Sequence, residues 1–81
     1  MIKGLYCVRD YKVGYTAVLT DENDAVALRG FKMALTPETI MYNNPKDFAL
    51  FKVGEFDTDT GIITPCEPTL IDEAYNLISE V

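Results

Sequence analysis

The chain has 81 residues, thirteen acidic against seven basic, no histidine, and a net charge of −6. That length holds one domain, spanning residues 1–81, and its 48% hydrophobic and 11% aromatic content fits a folded globule rather than a disordered tail. No apolar run approaches the roughly 20 residues that span a bilayer, and the missing histidine removes the commonest general base and metal ligand.

Residues 4–10 read as a strand, 11–14 as a turn and 15–19 as a second strand. Asp21, Glu22, Asn23 and Asp24 then offer capping side chains and negative charge for a helix N-terminus. The helix is expected over 23–35, with Ala27, Leu28, Phe31, Ala34 and Leu35 on one stripe at helical spacing. Gly30 interrupts it and suggests close packing against a sheet. Thr36-Pro37 reads as the cap and first position of a short helical turn reaching Tyr42.

Asn44-Pro45 begins another turn, because proline excludes the helical region for the residue before it. Residues 48–56 carry the aromatic and β-branched types of a strand. Asp57, Asp59 and Gly61 have the chemistry of a reversing turn, with Gly61 free to take positive φ. Ile62, Ile63 and Thr64 return as a strand, which Pro65 and Pro68 are expected to stop. Thr69 then caps a last helix over 70–80, with Leu70, Ile71, Ala74, Leu77, Ile78 and Val81 as its apolar stripe and Asp72, Glu73 and Glu80 on its outer face.

The fold class is therefore α+β: a small, mainly antiparallel four-stranded sheet with two helices packed on one face, in the order hairpin, helix, hairpin, helix. The equal spacing from Asp10 to Gly14 and from Asp57 to Gly61 gives the two halves a common outline. A small open sheet has two unpaired edges, so strand pairing across a two-fold axis, and hence a homo-oligomer, is expected.

The run from Asn44 to Ile63 carries a resemblance. A helix with Ala25, Ala27, Arg29 and Phe31 comes first, then Pro45, Asp47, Phe48 and Leu50, then Gly54, Glu55, Phe56 and Asp57, then Thr60 and Gly61. In order and spacing this resembles the small non-structural protein of gokushovirus-like Microviridae, bacteriophages with single-stranded DNA, over about residues 5–65. The chain departs from that pattern at Lys32-Met33 and at Asn44. The resemblance implies a non-structural protein in genome replication or packaging, described in that family as DNA-binding, working in the host cytoplasm, with no active site attached.

No enzyme is read from the residues themselves. The cysteines, Cys7 and Cys66, match neither a zinc spacing nor a Cys-x-x-Cys motif and have no histidine to activate them, so two reduced thiols are expected. Asp57-x-Asp59-x-Gly61 fails as a calcium loop, since glycine stands where the third oxygen ligand belongs and Pro68 where the bidentate glutamate belongs. No metal and no cofactor is expected. The start of the chain, Met1-Ile2-Lys3-Gly4, lacks the longer apolar core of a signal peptide, in keeping with a soluble cytoplasmic protein away from membranes.

Charge is unevenly distributed. Through residue 52 the chain has seven basic residues against six acidic ones, and the remainder has seven acidic and no basic. The first hairpin interleaves Lys3, Arg9, Tyr11, Lys12 and Tyr15, the mixture of stacking rings and cations that single-strand binders use, and Arg29 and Lys32 add charge on the helix. Single-stranded DNA is one partner class. A phage replication or capsid-assembly protein, docking on Asp72, Glu73, Glu80 and a sheet edge, is the other. Clustering of Lys3, Arg9, Lys12, Arg29 and Lys32 with the exposed tyrosines favours the first, and scatter among acids the second.

Overall fold

In a computed structural model, which describes residues 1–79, four strands form one antiparallel sheet in the order β2-β1-β3-β4. They are β1 (Ile2–Asp10), β2 (Gly14–Asp21), β3 (Phe48–Asp57) and β4 (Ile63–Glu73). Between the hairpins lie α1 (Asp24–Ala34), α2 (Ile40–Asn43) and a 3-10 turn (Pro45–Asp47), and α3 (Ala74–Ser79) follows β4. The α+β reading and the antiparallel four-stranded sheet hold, with the two hairpins meeting through β1 and β3.

Strand alternation sorts β1 and β3 into two faces. Tyr6, Val8, Phe48 and Leu50 point to the helices and form the core with Ala27, Phe31, Ala74 and Leu77. The Tyr6 ring lies across Gly4, where a Cβ would stand 2.6 Å from Cε2 of that ring. Its hydroxyl donates to Asp24 at 2.6 Å and ties the start of α1 to the sheet. Burial first, then this hydrogen bond and the Asp24 charge, push the Tyr6 phenol well above its usual pKa.

α1 begins as its sequence implies. Asn23 is the cap, its side chain accepting from the Val26 N–H at 2.9 Å. Gly30, however, is not tightly packed: a Cβ there would meet nothing within 4 Å. The next helix starts later than expected, with Thr39 rather than Thr36 as cap; Thr36 and Pro37 instead open a turn closed by the Thr39 N–H on the Thr36 carbonyl at 2.9 Å.

The largest correction concerns residues 63–73. Pro65 and Pro68 do not stop β4, which runs through both. As an outer strand, β4 has only one side in the ladder, and a proline whose nitrogen need not donate there removes no bond. Gly54 pairs with Pro65 and Lys52 with Thr69, so residues 66–68 bulge opposite Val53. Gly54 makes this crossing possible, because a Cβ on it would lie 2.7 Å from the Thr64 carbonyl oxygen.

Thr69 and Leu70 are thus ladder residues rather than a helix start, and α3 begins only at Ala74. Asp72 lies just before α3, its carboxylate accepting from the Glu73 N–H at 2.8 Å and from the Asn76 side-chain amide at 2.9 Å. At the β3–β4 turn Gly61 has φ 77°, and the Asp57 carboxylate accepts from the Asp59 N–H at 2.8 Å, which holds that carboxyl below its usual pKa.

Candidate nucleic-acid interface

The second face of the sheet is made by the side chains that alternate with the core-facing ones, and its composition follows from the register. One row across the strands is Tyr15, Arg9, Ala49 and Glu73. The next is Val18, Cys7, Phe51 and Leu70. Ala49 and Cys7 are buried beneath their larger neighbours, while Tyr15, Val18 and Leu70 stay open to solvent.

Arg9 organises the first row. Its guanidinium carbon stands 4.8 Å from the Tyr11 ring centroid, 5.2 Å from Tyr15 and 5.9 Å from Phe51. Such contacts contribute about 0.5–1 kcal/mol each at exposed sites and hold the charge on the face without neutralising it. Tyr15 meets Phe51 edge to face, with centroids 5.6 Å apart and an interplanar angle of 83°. The Tyr11 hydroxyl donates to Glu73 across the sheet at 3.2 Å. Partial burial, then the Glu73 carboxylate, raise the Tyr11 phenol pKa, with Arg9 opposing. The result is a half-buried cation ringed by three aromatic side chains, two of them with open surface: Tyr15 is 44% exposed and Tyr11 41%.

Of the residues singled out in the sequence, Arg9, Tyr11 and Tyr15 come together here, with Lys12 exposed at the adjoining β1–β2 turn. None of the ion pairs among the described residues involves Lys12. Lys3 does not join them; it pairs with Glu22 at 3.5 Å beyond the other end of β2. Arg29 and Lys32 lie exposed on α1, on the helical side of the sheet. Asp72 and Glu73 end β4 rather than lining a helix, and Glu80 lies outside the described residues.

Phe51 was not singled out, although it is the ring on which Arg9 and Tyr15 converge. Its alternation with Ala49 was readable in the sequence; its neighbourhood, which depends on β3 landing beside β1, was not. The two cysteines sit on non-adjacent strands as free thiols, Cys7 buried, which raises its pKa, and Cys66 exposed. Among the described residues no group of three or more metal-ligating side chains forms, and no helix is long and apolar enough to cross a membrane.

Fold and surface together define a small antiparallel α+β protein with one helical face and one aromatic face built around a single arginine. The chain belongs to the Phage ORF5 protein family, whose model matches residues 3–77, and is a bacteriophage protein. No curated protein and no solved structure matches it.

Proposed function

We propose that this phage protein binds single-stranded DNA weakly through the open face of its sheet, as a non-enzymatic accessory of genome replication or packaging in a gokushovirus-like microvirus, in the host cytoplasm. The observation that carries the reading is Arg9 held among Tyr11, Tyr15 and Phe51, with Lys12 at the adjoining turn. Exposed rings stack bases of any sequence, and a cation among them meets the phosphates. With two cations rather than five at the face, stacking dominates and the salt dependence is shallow, near 0.7 logarithmic units per cation, or a slope of about −1.4 per protomer.

A second reading has its own support: a regulator that binds a phage replication or capsid-assembly protein and never touches DNA. Lys3, Arg29 and Lys32 lie away from the tyrosines, Glu73 stands within the aromatic row, and the net charge of −6 opposes nucleic acid. Fluorescence anisotropy with labelled single-stranded and duplex oligomers separates the two. Binding that favours the single strand and is weakened by Tyr15→Ala supports the DNA reading. No binding at low salt leaves the regulator.

A further inference from the structure

The two outer strands of the sheet are built differently. On β4, Pro65 and Pro68 offer no N–H, Glu67 sits between them, and residues 66–68 bulge away from the ladder. These are devices that keep an edge from pairing with another chain. β2 has neither proline nor charge along residues 15–20, which read Tyr-Thr-Ala-Val-Leu-Thr. Its one irregularity, between Tyr15 and Val18, is closed inward by the Thr16 hydroxyl donating to the Val8 carbonyl at 2.7 Å. All of residues 15–20 are exposed, Leu19 to 65%.

α1 does not cover this strand. An apolar groove of about 360 Å³ runs between them, lined by Ala17, Leu19, Ala27, Gly30, Phe31 and Ala34 among others. The open space at Gly30 belongs to it. Charged side chains of opposite sign stand at the two ends of β2: Lys12, next to Asp10, in the turn before it, and Asp21 and Glu22 at its far end, where Glu22 also meets Lys3. A strand with a positive start, a negative finish and an uncharged middle is complementary to itself when reversed.

We infer that the chain forms a homodimer by antiparallel pairing of β2 with β2 of a second copy, making one continuous sheet of eight strands. The pairing brings Lys12 of each copy against Asp21 and Glu22 of the other. A two-fold axis perpendicular to the sheet and passing by Ala17 keeps both helical layers on one side, so the two grooves, lined by Ala17 and Leu19, merge across the junction. It also sets the two aromatic faces side by side. The shared edge, eight residues at about 3.4 Å each, is roughly 27 Å long.

Analytical ultracentrifugation of the full chain from low to high micromolar concentration tests this without any DNA, so its failure and that of the DNA reading are separable. The expected result is a reversible species of twice 9.1 kDa. Leu19→Lys abolishes it while leaving the circular dichroism of the monomer unchanged. Lys12→Glu or Glu22→Lys each weakens dimerisation about tenfold through the two symmetric contacts, and the double reversal restores it. A monomer throughout the range, a dimer indifferent to Leu19→Lys, or a double reversal that fails to restore association overturns the inference.

Discussion

Replacing Gly54 by alanine is expected to loosen the sheet where β4 crosses β3. The backbone of Gly54 is not at positive φ, so alanine costs nothing in conformation and even removes freedom from the unfolded chain. The obstacle is steric. The new Cβ would lie 2.7 Å from the Thr64 carbonyl oxygen and 3.2 Å from the Pro65 Cα, both backbone atoms that cannot rotate away. A tolerable carbon–oxygen contact is about 3.3 Å, so β4 must withdraw by about 0.6 Å. Glu55–Thr64 and Gly54–Pro65 hold it in register there. Overpacking of this kind costs about 1–3 kcal/mol. For a domain of this size that lowers Tm by roughly 4–20 °C. Thermal and urea unfolding followed by circular dichroism read the change. A variant as stable as the parent would refute the close approach and with it the path of β4 through its two prolines.

Gly30→Ala is expected to act in the opposite direction: it fills open space on a regular helix and raises stability by about 0.5–1 kcal/mol in the same unfolding assay. Tyr15→Ala is expected to cost about 0.5–1.5 kcal/mol of stability through the lost contact with Phe51. The same variant is expected to weaken single-strand binding by about 1–3 kcal/mol per stacked base, read by anisotropy. Alkaline pH is expected to destabilise the fold through Tyr6. Its folded pKa is raised above the unfolded value of 10.0, so its contribution is whole below that pH and is lost as pH rises beyond it. Unfolding curves across that range should show the loss, and Tyr6→Phe should flatten it.

Much of the fold was readable because local chemistry and tertiary structure agree. The β1–β2 hairpin, the Asn23 cap of α1, the Asn44-Pro45 turn and the Asp57–Gly61 reversal all lie where capping and turn residues put them. Residues 65–73 were misread because their conformation is set by a partner strand. Two prolines signal an end only if the strand is central, and nothing local tells a central strand from an outer one. Leu70 and Ile71 likewise fit both a helical stripe and an alternating strand. The ladder to Phe51 and Leu50 decides between them, and the helix begins at Ala74 rather than after Thr69.

The candidate site divides along the same line. Arg9, Tyr11 and Tyr15 were legible as a group because they share one hairpin. Phe51 and Glu73 reach them only through β3 and β4, a relation set by strand order. Arg29 and Lys32 were grouped with them by sign of charge alone, and the sheet places them on its other side.

The most direct test of the central claim is anisotropy of a labelled single-stranded oligomer titrated with the full chain across a series of salt concentrations, beside a duplex of the same sequence. The account predicts micromolar binding that favours the single strand, with a logarithmic salt slope near about −1.4 per protomer from the cations at the aromatic face. Absence of binding at the lowest salt, or equal binding to the duplex, would contradict it.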